Sequence, residues 1–221
     1  MVDISDSFKF SFKDSDWISK YMIGCLFSLL SIFVLPIPVL YGYYIELLQK
    51  VSNSDPNPLP EWKDPGIKFL TGLKYIAVMI IYYLPLLIIL VPTLALLIIM
   101  SIWNAHTGNF FESELFGMFI ILSVVPYSIF IYLLQPSITI LFSIKESMRD
   151  ALNIGRVIKL FKIRWEDILV VSVLTVVFDF LAIAGILFFI IGIFFTTFFV
   201  QIIRFHMYGQ IGREYKKAQL I

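Results

Sequence analysis

An aspartate inside a long apolar run is the residue best placed to do chemistry in this chain. Asp179 lies within the stretch Ile168 to Tyr208, where a carboxylate in hydrocarbon is costly unless it is protonated or paired. If that stretch folds back on itself near Gly192, Asp179 comes level with Arg204 and His206. A charge-assisted hydrogen bond would then explain its presence. Two readings follow: a proton or cation relay, or a structural pair that fixes helix register. Gln135 and Gln201 also lie inside apolar runs, and amides there commonly bond a neighbouring helix. Glu46 precedes Lys50 at the spacing of a helical ion pair. Lys145, Arg149 and Arg156 share one polar arc and could grip anionic lipid headgroups, each contributing about 1 kcal/mol. The same residues also fit the ordinary cytoplasmic excess of Lys and Arg.

Other chemistry is harder to build. Cys25 has no intrachain partner, and His106 and His206 lie far apart with no cysteine at a zinc-type spacing, so neither a metal site nor a cofactor is expected. The chain contains no Gly-rich phosphate loop, no Gly-x-Ser-x-Gly elbow and no His-Glu-x-x-His helix. The expectation is a protein that is not an enzyme.

The elements that must position these residues follow from composition. Of 221 residues, 59% are hydrophobic and 15% charged, against about 45–50% and about 25% in soluble domains. That surplus points to lipid as the solvent. A net charge of +1 excludes bulk electrostatic binding to nucleic acid. The bilayer is the expected partner, its anionic headgroups included, with a membrane-protein partner or a homo-oligomer beside it. Asp3, Asp6, Asp14 and Asp16 precede the first apolar run, and no small-x-small cleavage pattern follows it, so that run is expected to stay in the mature protein.

The chain reads as one integral membrane domain over 1–221. Residues 1–20 form an interfacial segment, in which Phe8, Phe10 and Phe12 alternate with polar residues and Trp17 serves as an aromatic anchor. Segment one, Tyr21 to Leu48, contains Pro36 and Pro38. It either crosses once with a kink or forms two short helices that enter and leave on one side. The Pro-rich loop 49–68 is extended and polar, and its Pro58–Trp62 part reads as a rigid linker with an interfacial tryptophan or as a docking site for a soluble partner. Segment two, Phe69 to Trp103, is longer than a bilayer and must tilt, bend at Pro85 and Pro92, or project beyond it. Segment three runs from Leu115 to Ile144. Residues 144–166 carry an amphipathic interfacial helix, with a turn over 160–167 anchored by Trp165. Residues 168–208 suit a helical hairpin whose apex falls between Ala184 and Ile193.

The fold class is therefore all-α: a polytopic helical membrane protein of about five hydrophobic segments plus the interfacial helix. Basic residues cluster in the loop 49–68, in 145–164 and after Arg204, and are absent from Asn104–Glu114 and from the hairpin apex. The positive-inside rule then predicts a multi-pass cell-membrane protein with its C-terminus in the cytoplasm.

Asp16-Trp17, Gly24, Gly42-Tyr43, the loop Leu59-Pro60-Glu61-Trp62, Gly72, and the closing His206, Gly209, Gln210 and Arg213 give the chain a resemblance over nearly its whole length. It resembles a prokaryotic membrane-protein family known as domain of unknown function 4013. The resemblance implies membrane placement and brings no activity, cofactor or catalytic residue. The leading expectation is a non-enzymatic accessory or scaffold component of the membrane. The alternative is a small permease or channel subunit using Asp179.

Overall fold

The computed structural model describes residues 2–107, 111–185 and 189–219, and its regular structure is helical throughout those residues. The first helix, α1 (Ile4–Lys9), is capped by Asp3, whose carboxylate accepts from the amide of Asp6 at 2.9 Å. A 3-10 turn over Phe10–Lys13 follows. The alternating phenylalanines thus sit on helical backbone. Helical pitch lets Phe8 meet Phe178 and Phe199, turns Phe10 onto His206, and leaves Phe12 exposed against Trp17.

Segment one breaks at its prolines. Helix α2 (Trp17–Leu30) ends in a 3-10 turn over Ser31–Phe33, Val34 takes a positive φ of 66°, and α3 (Ile37–Ser52) starts with Pro38 in its first turn, where a missing N–H costs nothing. The two helices fold back on each other, since Phe198 packs against both Tyr21 on α2 and Tyr43 and Tyr44 on α3. At 14 and 16 residues, each reaches about 21–24 Å, short of an about 30 Å hydrocarbon core. Helix α4 (Pro65–Thr107) passes through Pro85 and Pro92, and α5 (Phe111–Lys145) runs through Pro126 and Pro136. Residues 108–110, in the basic-free connection expected there, lie outside the described residues.

Two described helices are long and apolar enough to cross a membrane, over Pro65–Trp103 and Val124–Lys145. A third appears if the pair Ile4–Lys13 and Trp17–Phe33, bent by 104°, counts as one span. Among the described residues, two to three therefore stand against the five read from hydropathy. The proline break shortens segment one. In the last region the helix Trp165–Ala184 carries Glu166 and Asp167 in its first turn and Asp179 further in, and the helix after it is polar over its final third.

The interfacial helix expected over 144–166 is also in pieces. Helix α5 stops at Lys145, Glu146 takes a φ of 49°, α6 (Met148–Ala151) is one turn, and α7 (Ile154–Ile163) is the amphipathic element proper. The cause is local. Ser147 accepts from the amide of Asp150 at 3.2 Å and Asn153 from that of Arg156 at 3.1 Å, so each side chain caps a new helix. The turn expected over 160–167 shrinks to Arg164, and α8 (Trp165–Ala184) begins at once. Helix α9 (Phe189–Gln219) returns. Of the expected apex, Gly185 and Gly192 are described, the latter inside α9, and residues 186–188 lie outside the described residues.

The chain divides into two compact units, Met1–Val78 with Leu134–Ile221, and Met79–Leu133. In the first, α9 is the central strut: α1, α2, α3 and α8 pack on it, and every residue from Ile202 to Gly212 is buried. The second unit holds the α4 and α5 residues within Met79–Leu133, where the Tyr127 hydroxyl donates to the Tyr82 carbonyl at 2.9 Å. Apolar side chains there face outward in several directions, among them Ile88, Val91, Ile98, Ile102, Leu122 and Ile129.

Candidate functional site: polar clusters around the central helix

Close backbone contact brings the polar groups of the first unit together. A Cβ on Gly72 would lie 1.7 Å from the Pro38 carbonyl oxygen, and one on Gly42 would lie 1.9 Å from that of Lys68, so α3 and α4 cross glycine on glycine. Gly24 faces the Phe198 ring and Gly209 faces Val51 in the same way. The crossing sets Lys68 against Glu46 at 2.5 Å, with the Lys63 carbonyl as a second acceptor at 3.1 Å. Beside it, Glu146 accepts from Gln49 at 3.2 Å and from Thr71 at 3.0 Å. Glu46, Gln49, Lys63, Asp64, Lys68, Thr71 and Glu146 border a 390 Å³ cavity. The expected Glu46–Lys50 pair is replaced, since Lys50 turns to Asp55.

The Pro-rich loop is latched onto the helices. Leu59 is 1% exposed, and Trp62 stacks on Tyr43 at 4.1 Å and on Phe27 at 5.0 Å while its indole N–H donates to the Lys20 carbonyl at 2.8 Å. The buried Lys20 ammonium meets Asp14 at 2.8 Å and Glu61 at 2.7 Å. Lys20's hydrogen bond holds the Glu61 carboxyl below its usual range. At Asp14, burial pushes the pKa up, and the hydrogen bonds from Lys20 and from the Asp16 amide outweigh it, so the net shift is downward. Trp62 thus fastens the loop to α2 and α3 through its ring and its N–H.

His206 and Asp179, expected side by side, have different partners. His206 stacks under Phe10 at 3.9 Å, and its Nδ1 lies 3.0 Å from Ser7 Oγ and 3.2 Å from Gln210 Nε2. The Asp3 amide donates to Gln210 Oε1 at 2.6 Å, which fixes the orientation of the Gln210 amide. Its nitrogen can only donate. On the other side of the ring, Nε2 lies 3.9 Å from Asp6 Oδ2. Ser7, His206 and Asp6 match a serine-histidine-acid set by residue type, yet Ser7 is fully buried and within 3.0 Å of the Asp3 carbonyl, of Gln210 Nε2 and of His206. The 160 Å³ cavity on the Asp6 side of the imidazole does not reach the serine. This cluster docks α1 on α9.

Asp179 pairs with Arg204 across α8 and α9; the arginine is 10% exposed at its side chain and the aspartate 50%. The Gln135 carbonyl accepts from Thr139 at 2.7 Å, and the Thr139 hydroxyl lies 2.9 Å from that of Tyr75. Gln201 borders a 470 Å³ crevice with Ser28, Tyr41, Tyr44 and Thr197, and its Oε1 has no partner among the described residues. Lys145 and Arg149 are exposed at the ends of α5 and α6, and Arg156 is exposed on α7 and paired with Asp150. Among the described residues, no group of His, Cys, Asp and Glu side chains is arranged to hold a metal.

A family model described as "Protein of unknown function (DUF4013)" matches residues 25–195. The chain belongs to this family. No curated protein and no solved structure matches it. Within the DUF4013 match lie Gly42, Tyr43, Leu59 to Trp62 and Gly72. In the structure these are the α3–α4 crossing and the loop latch. Asp16, Trp17, Gly24, His206, Gly209, Gln210 and Arg213 fall outside the matched stretch. Sequence reasoning missed the Ser7–His206–Gln210 and Lys20–Asp14–Glu61 clusters, whose members are separated by 203 and by 47 residues at their widest. It also missed Lys68–Glu46. The glycines Gly42 and Gly72, in facing helices on either side of one loop, were the available signal for that pair.

Proposed function

We propose that this DUF4013 protein is an integral, multi-pass component of the cell membrane with its C-terminus in the cytoplasm, acting as a non-enzymatic accessory or scaffold subunit. One observation carries this reading. The polar clusters of the first unit tie its elements together, while the most apolar stretch of α4 is 6% buried within the chain. Surface of that kind calls for lipid or another apolar helix to cover it. The occupants are the bilayer, with anionic headgroups along the basic residues of α6 and α7, and a membrane-protein partner or a second copy of the chain.

The test is gentle extraction from the native membrane followed by mass spectrometry of whatever leaves in fixed ratio. A stoichiometric protein partner supports the accessory reading; a lone chain carrying lipid alone sinks it. Release of the chain by alkaline carbonate would remove the membrane reading altogether. A second reading, a small permease or channel subunit, draws on the half-exposed Asp179 carboxylate. It requires ion- or pH-dependent flux in reconstituted vesicles that Asp179→Asn abolishes.

A further inference from the structure

Where α5 ends against α6, α7 and α9, a cavity of 320 Å³ is bordered by Lys145, Arg156, Lys159, Asp150, Tyr215, Leu141 and Ile144. Its composition is that of an amphiphile's binding site. Three cations face one carboxylate, and that carboxylate, Asp150, pairs with Arg156 and so sets the guanidinium. The remaining excess of positive charge suits an oxyanion. Tyr215 is 3% exposed and adds a phenol to the wall, while Leu141, 6% exposed, and Ile144 supply an apolar side. A volume of 320 Å³ is well above what one water needs and leaves room for a phosphate group. Arg149, on the same arc in sequence, is absent from the lining.

We infer that this cavity binds a phosphate group, that of an anionic phospholipid headgroup or of a soluble phosphate, through Lys145, Arg156 and Lys159. The lipid source rests on the membrane reading above. The site differs from general basic attraction because four elements converge on it, so its loss must depend on which cations are removed and not on how many.

Native mass spectrometry of the detergent-solubilised full chain tests this, with phosphatidylglycerol, phosphatidylcholine of the same acyl chains, and inorganic phosphate as separate probes. Two double variants remove equal charge: Lys145→Gln with Lys159→Gln at the cavity, and Arg149→Gln with Lys162→Gln outside it. The expected result is one tightly held phosphatidylglycerol, weakened roughly 30-fold by the first double variant and at most a few-fold by the second. Binding of inorganic phosphate that depends on Lys145 and Lys159, without phosphatidylglycerol binding, supports the phosphate site and assigns it to a soluble source. Equal losses in both double variants, equal binding of the two lipids, or no phosphate-dependent binding overturns the site. Alkaline-carbonate extraction of the wild-type chain runs alongside: release there counts against membrane residence and leaves the inorganic-phosphate arm as the judge of the cavity.

Discussion

Gly72→Ala should separate α3 from α4. The added Cβ would sit 1.7 Å from the Pro38 carbonyl oxygen and 2.8 Å from the Gly42 amide nitrogen, where ordinary contacts begin at 3.4 Å. Both obstacles are backbone on the facing helix, so no side chain can swing away, and the helices must part by nearly 2 Å. Overpacking of this kind costs roughly 1–3 kcal/mol, and a backbone obstacle places it at the upper end. Replacing a helical glycine by alanine returns about 1 kcal/mol. The net loss of about 2 kcal/mol corresponds to a fall of roughly 4–8 °C in unfolding temperature for a chain of this size. Separation also draws Lys68 from Glu46, now 2.5 Å apart. Thermal unfolding in detergent, followed by tryptophan fluorescence, reads the effect, because Trp62 stacks on Tyr43 beside the crossing. Gly66→Ala is the control: it lies in the same helix with nothing within 4 Å of the added Cβ, so it should be neutral or slightly stabilising. Gly72→Ala melting within a degree of Gly66→Ala would refute the close crossing.

Trp62→Ala should release the Pro-rich loop at a cost of roughly 3 kcal/mol, seen as fast proteolysis between Asn53 and Asp64; Trp62→Phe should retain the stack and lose about 1 kcal/mol with the Lys20 hydrogen bond. Asp14 and Glu61 both have lowered pKa values in the fold. Their contribution is therefore present above the ordinary carboxylate range and lost as pH falls through and below about 4. Lys20→Met should flatten that acid limb in a pH-dependent melt, and an unchanged limb would show that other carboxylates govern it. Asp179→Asn should cost about 1–2 kcal/mol in detergent, less than breaking a fully buried pair, because the aspartate is half exposed. Flux lost with stability intact would move Asp179 from a structural pair to a relay.

Hydropathy made the helical class and the two long apolar helices legible, and the prolines marked the break in segment one. Proline position decided what each break became. Pro36 and Pro38 follow Val34, which takes a positive φ, and start a new helix, whereas Pro85, Pro92, Pro126 and Pro136 are absorbed within helices. Nothing in local hydropathy separates those outcomes. The broken interfacial helix was legible in principle, since Ser147 and Asn153 are good N-caps, but a period of about 100° per residue carries no information about capping. Asp179 and Arg204 were readable as a pair because antiparallel helices impose a register. His206 was misplaced because that register says nothing about α1, which arrives from the other end of the chain and takes the imidazole with Ser7 and Phe10.

Several glycines and polar residues, some inside the family match and some outside it, share a physical role. Gly42 and Gly72 make the crossing, Trp62 and Glu61 close the loop latch, Gly24 and Gly209 admit Phe198 and Val51, and Gln210 holds α1. Each lets two elements approach, and none of them borders the cavity of Lys145, Arg156 and Lys159. A scaffold held by backbone contact and internal ion pairs tolerates change on its outer surface more readily than at its crossings, because a surface substitution costs within about 0.5 kcal/mol and a methyl group at Gly72 costs several times that. What distinguishes this chain's task from that of other family members should therefore lie in the outward apolar face of α4 and in the basic residues between α5 and α7. Comparing stoichiometric partners for the wild type and for chains altered on those two surfaces tests that division. Loss of a partner through Gly66→Ala or another silent crossing-free change in the first turn of α4 would contradict it.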